Sequence, residues 1–180
     1  DDHCGGMKDG KKIAAVALSG PSGGLLPNKI PVKFLSRRFV EANVPDGVTE
    51  ISVRDLPLDI NVSRAVGYML GAGIVVYGEG CNVLAEALAN CRFYRNESCG
   101  KCVPCRIGSQ KITEMAERLL AGEVDLEEFA SFEPVAMQLS GVMQATSICG
   151  LGQVASNPLQ SFLKYFPDLA QRACRKKTPG

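Results

Sequence analysis

Several things are scarce or missing in this chain of 180 residues. No apolar run approaches the roughly 20 residues needed to span a bilayer, so any membrane link has to run through other proteins. An excess of charge of one sign is missing too. Twenty basic and nineteen acidic residues leave a formal charge of +1, which removes the global electrostatic case for nucleic acid or membrane binding. Phosphate-binding glycine motifs are absent: Gly20-Pro21-Ser22-Gly23-Gly24 lacks both a Gly-Lys-Ser/Thr ending and Gly-x-Gly-x-x-Gly spacing, and the glycines of Gly67 to Gly73 precede a strand instead of joining a strand to a helix. Both stretches read as turns. There is one histidine, His3, and no signal peptide at the start.

Cysteine, by contrast, is plentiful, with eight residues. The densest stretch is Glu97-Ser98-Cys99-Gly100-Lys101-Cys102-Val103-Pro104-Cys105-Arg106, and a lone thiol follows in Ser147-Ile148-Cys149-Gly150. Three thiols two residues apart plus a distant fourth form a ligand set for a 4Fe-4S cluster, because a cubane takes four thiolates converging on one small volume. Thiols at that spacing cannot all face one point along a regular helix, so Cys99, Cys102 and Cys105 are expected on one irregular turn, with Gly100 and Pro104 shaping it. Lys101 and Arg106 favour the thiolate form and offset cluster charge. The chemistry indicated is electron transfer.

Two other uses compete. Zinc sites usually take two short ligand pairs, whereas this chain offers a triplet and a singlet, with its histidine far away. Disulfides suit small secreted modules, whereas this chain has 46% hydrophobic residues and the length for an ordinary core. A thiol-rich chain without a leader fits a reducing compartment, so the expected location is the cytoplasm or the cytoplasmic face of a membrane complex. Of the remaining cysteines, Cys91 falls on the stripe Leu84, Ala87, Leu88, Cys91 and reads as core. Cys81 and Cys174 lack partners at ligand spacing, and Cys4 beside His3 lacks further local ligands.

The chain reads as α+β in two parts. Residues 1–80 show strands at Lys12 to Leu18, Val48 to Val53 and Gly73 to Tyr77 among turns. Residues 81–180 read as an all-α bundle carrying the metal centre. Helices are expected from Asn82 to about Arg95 and from near Arg106 to Gly122, the latter with Ile112, Met115, Ala116, Leu119 and Leu120 on one face. Asp125 with Glu128 predicts a capping box on a short helix to about Ser131, and Pro134 a fresh start for a helix burying Val135, Leu139, Val142 and Met143. Asn157-Pro158 opens a last helix with Leu159, Phe162, Leu163 and Phe166, which Pro167 stops. Cys149 falls in a connection between helices.

The string at 97–106, with Ser-Ile-Cys-Gly-Leu-Gly at 147–152 and Asn-Pro-Leu-Gln at 157–160, resembles the flavin- and NADH-binding subunit family of respiratory complex I, NAD-linked hydrogenases and NAD-linked formate dehydrogenases. The resemblance implies that Cys99, Cys102, Cys105 and Cys149 hold a 4Fe-4S cluster fed by reduced flavin. It implies that residues 1–80 are a soluble-ligand-binding β-grasp-like domain lacking its start, with Gly20 to Gly24 and Met69 to Val76 carrying that looser likeness. FMN and NAD(H) are then expected on a missing domain or partner chain, alongside other iron-sulfur subunits. The chain is expected to relay single electrons as part of an oxidoreductase complex, without oxidising NADH alone. A binding or scaffolding module with a structural metal centre is the alternative. Ile107, where the family usually has an acidic residue, and Gly150, where it has alanine, depart from the pattern, and Asn28 to Asp55 is longer than usual.

Overall fold

The computed structural model describes residues 5–66 and 69–175. His3, Cys4, Gly67 and the last basic residues, Lys176 and Lys177, lie outside the described residues. The chain divides into two compact units, with the boundary along the sequence between Val83 and Leu84.

In the first unit, β1 (Ile13–Ala17) is the middle strand of an antiparallel sheet, flanked by β2 (Leu26–Pro27) and β5 (Val75–Gly78). Val16 stands opposite both Leu26 and Val76. A second small ladder pairs β3 (Lys29–Pro31) with β4 (Glu50–Ser52), Ile30 facing Ile51. Ala15, Val16, Ala17, Leu25, Leu26 and Ile30 form the buried centre. Two short helices follow from local caps: the Ser36 hydroxyl accepts the Phe39 N–H to start α1 (Arg37–Asn43), and Asp59 Oδ1 accepts the Asn61 and Val62 N–H groups at 2.7 and 3.1 Å to start α2 (Ile60–Val66). The two glycine-rich stretches pack on each other. Gly20 N–H donates to the Gly73 carbonyl at 2.7 Å, and a Cβ on Gly71 would stand 2.5 Å from Ser19 Oγ. Gly23 and Gly71 are the glycines that serve close approach there, a Cβ on Gly23 standing 3.1 Å from the Met69 carbonyl.

The second unit is helical: α3 (Val83–Glu97), α4 (Val103–Leu120), α5 (Leu126–Thr146), α6 (Gly150–Val154), α7 (Asn157–Tyr165) and α8 (Pro167–Ala173). Leu84, Ala87, Leu88 and Cys91 are all buried, as their spacing predicts, and Tyr94 extends the stripe. In α7, Leu159, Phe162 and Leu163 are buried, and Phe162 stacks on Phe166 with ring centroids 6.0 Å apart.

Three expectations need correction. The break expected before Pro134 is absent: α5 runs unbroken through that proline. The Asp125 cap sets its phase, accepting the Glu127 and Glu128 N–H groups, so Phe129, Phe132, Ala136, Ser140 and Met143 face inward while Val135 and Val142 are 53% and 54% exposed. The Glu128 carboxylate also pairs with Arg118 of α4 at 2.6 Å. Pro167 does not only stop a helix; it also starts α8, a first-turn position where its missing N–H costs nothing. In α4, finally, Leu120 is exposed and Met115 half-buried, and the inward face runs through Ser109, Ile112, Thr113, Ala116 and Leu119.

Candidate metal centre

The link between α3 and α4 is built around Gly100, whose φ of +74° is a left-handed conformation that glycine adopts freely. Arg106 reaches back from the first turn of α4, its Nη1 donating to the Gly100 carbonyl at 3.1 Å. Cys102 is the N-cap of α4, with extended backbone, and Pro104 occupies the first turn. Cys105 is therefore helical, which corrects the expectation of one irregular turn spanning all three thiols. Pro104 opens a helix at this point instead of ending a loop, leaving Cys99 and Cys102 before it and carrying Cys105 into it.

The fourth thiol comes from a separate segment. Ser147 ends α5, and Cys149 is the N-cap of the five-residue α6. Gln153 Nε2 donates to the Ser147 carbonyl at 3.2 Å and fixes this connection.

Two contacts bring the segments together. The Cys102 thiol meets the Ile148 peptide group, which, with the Cys105 peptide group and the nearby Arg106 charge, holds its pKa below the ordinary 9.0. Gly152 provides the other. A Cβ there would stand 2.6 Å from Ser147 Oγ and 2.9 Å from Cys105 Cβ, so only glycine lets α6 close on the first turn of α4. Cys105 is buried with its Sγ 3.2 Å from Ser98 Oγ; Cys102 is half-buried, and Cys99 and Cys149 are exposed.

The donor set fits an iron-sulfur cluster. The seven described cysteines are free of disulfides. The triplet lies beside the arginine that reaches back to Gly100, and at Cys102 the Ile148 and Cys105 peptide groups favour the thiolate form that metal binding needs. Among the described residues, no three His, Cys, Asp or Glu side chains converge on a single-ion site. A cubane takes one thiolate per iron, so its ligands spread more widely than those around one ion.

The other cysteines have different surroundings. Cys91 is packed in the core, and burial pushes its thiol up to about 12, with the Leu159 peptide group working in the other direction. Cys174 is also buried, donating to the Ala170 carbonyl at 3.4 Å, and burial together with the Asp125 charge raises its pKa. Cys81 is half-buried. Three residues beside the thiols stand within the quoted motifs but were given no role by the sequence reading: Ser98, Ser147 and Gly152. Gly152 alone left a signal, as a second glycine within a helical stretch, which often marks close approach.

Residues 85–173 match the family described as NADH-ubiquinone oxidoreductase-F iron-sulfur binding region. The NADP-reducing hydrogenase subunit HndC of Solidesulfovibrio fructosivorans is 32% identical over 92% of this chain and 28% of its own length. The mitochondrial NADH dehydrogenase [ubiquinone] flavoprotein 1 of Dictyostelium discoideum is 29% identical over 96% of this chain and 31% of its own. A crystal structure of an NAD+-reducing [NiFe]-hydrogenase in the H2-reduced state superposes with a TM-score of 0.60 at 25% identity, covering 92% of this chain and 24% of that one. The chain thus spans about a third or less of the length of these relatives. No helix among the described residues is long and apolar enough to cross a membrane. Over residues 85–173 the chain belongs to the NADH-ubiquinone oxidoreductase-F iron-sulfur binding region family.

Proposed function

We propose that this chain is the one-electron relay of an NAD(P)H-linked oxidoreductase complex, with Cys99, Cys102, Cys105 and Cys149 as ligands of a 4Fe-4S cluster. The observation that carries the reading is the closure of the Ser147–Gly152 segment onto the start of α4, with the Ile148 peptide at the Cys102 thiol and Gly152 against Cys105. The cluster supplies the ability to take up and release one electron with no bond made or broken in the protein. The protein's own residues hold the thiolates and counter their charge: Arg106 and the start of α4 act on Cys102, and Lys101 adds a nearby cation. Hydride chemistry belongs to a flavin and NAD(H) on another domain or partner chain, and onward transfer to further iron-sulfur subunits, on the cytoplasmic side. The first unit is read as the β-grasp-like domain that accompanies such a centre.

The test is iron, sulfide and zinc content of anaerobically purified protein, with electron paramagnetic resonance spectra before and after dithionite. About four irons and four sulfides, with a signal only on reduction, support the relay. Zinc without sulfide overturns it in favour of a structural metal module.

A further inference from the structure

Cys105 is the buried member of the four thiols, and two hydroxyls stand beside it. Ser98 Oγ lies 3.2 Å from Cys105 Sγ and accepts the Gly100 N–H at 3.4 Å. With the oxygen accepting from Gly100, its own proton is free to be given to sulfur. Ser147 is the second. Its hydroxyl is buried without a hydrogen-bond partner, and Ser147 and Cys105 both stand against Gly152, whose Cβ would lie 2.6 Å from Ser147 Oγ and 2.9 Å from Cys105 Cβ. A buried hydroxyl is ordinarily satisfied, so an acceptor is expected beside it, and Cys105 is the neighbour that brings sulfur.

We propose that Ser98 and Ser147 set the reduction potential of the centre by donating their hydroxyl protons to sulfur on the Cys105 side. An added electron makes the sulfurs more negative, so a fixed donor stabilises the reduced state more than the oxidised one and raises the potential. The inference rests on the 4Fe-4S reading above.

The experiment is a redox titration, followed by electron paramagnetic resonance, of the full chain and of its Ser98→Ala, Ser147→Ala and Ser98→Thr variants, with iron and sulfide counted in each. The midpoint is expected to fall in both alanine variants at unchanged iron content, and to stay at the parent value in the threonine variant, which keeps the hydroxyl. Packing alone would lower iron content or melting temperature and leave the midpoint in place. Unmoved midpoints in both alanine variants, with clusters intact, overturn the proposal and leave the relay standing. A parent chain without iron, sulfide and a reduced-state signal overturns the relay itself, and the proposal with it. Should both alanine variants lose iron, the parent's iron-thiolate stretching bands decide by resonance Raman. A band shift on transfer to D2O supports sulfur-directed donors, and unshifted bands overturn them.

Discussion

Replacing Gly152 with alanine adds one methyl group at the most crowded point of the candidate centre. The new Cβ would stand 2.6 Å from Ser147 Oγ, 2.7 Å from Ser147 Cβ and 2.9 Å from Cys105 Cβ. None of these is the far end of a flexible chain, so relief requires moving the backbone of the Ser147–Cys149 connection or the start of α4. Overpacking of this kind costs about 1–3 kcal/mol. Removing a helical glycine returns about 0.5–1 kcal/mol, at the low end in a helix as short as α6. The net loss is then about 0.5–2.5 kcal/mol, or roughly 1 to 10 °C in melting midpoint for a chain of this size. Gly150→Ala is the matched control, because nothing lies within 4 Å of a Cβ at that position. Thermal unfolding of the two variants beside the parent, with iron counted in each, should show the Gly152 variant melting lower and holding less iron, and the Gly150 variant melting at or slightly above the parent with equal iron. A Gly152 variant that melts no lower than the Gly150 variant and holds as much iron would refute the idea that the glycine sets the approach of α6 to Cys105.

Other substitutions separate ligands from packing. Cys102→Ala and Cys149→Ala should each abolish or sharply lower iron and sulfide content, since metal binding and folding are coupled when ligands come from distant segments, while Cys91→Ser should keep both; the reverse pattern would discard the ligand set. Cys91 also makes the fold alkali-sensitive. Its thiol is held protonated to about 12 in the folded chain against an ordinary 9.0, so the unfolded chain loses its proton first, and this group's contribution to stability should fall between those values by about 1.4 kcal/mol per pH unit and stay level below them. Urea midpoints at pH 8 and 10 for parent and Cys91→Ala check this, the difference between the two proteins changing with pH by the Cys91 share while Cys174 and Cys102 act alike in both. Gly141→Ala, on an open surface of α5, should raise stability by about 0.5–1 kcal/mol in the same urea assay.

What the sequence revealed depended on whether the information was local. The cysteine triplet and the Cys149 singlet are visible as spacing, and the stripes of α3 and α7 are regular enough to place their buried faces. Caps mattered where stripes were short: α1 and α2 are seven residues each and rest on Ser36 and Asp59, too little periodicity to find beforehand. β2 and β3, two and three residues long, exist because of their partners. Pro134 misled because proline is a start signal and a break signal at once, and tertiary packing of Phe129, Phe132 and Met143 carried one helix through it. The partners of the thiols were hidden for a different reason. That Ile148 offers its peptide to Cys102, or that Gly152 lies against Cys105, follows from the meeting of two segments more than forty residues apart, which no single window of sequence contains.

That separation has a consequence for assembly. In the proposed ligand set, α4, the turn at Gly122 and α5 all lie between Cys105 and Cys149, so a bound cluster ties off a loop of about forty residues, and closing such a loop costs an unfolded chain about 3 kcal/mol on the logarithmic law. Iron would thus act as a tether as well as a redox centre. A newly made chain that meets iron late would have to hold these helices together by packing alone. Iron supply would then decide how long the unfinished helical unit stays open to proteases, independently of any electron it later carries.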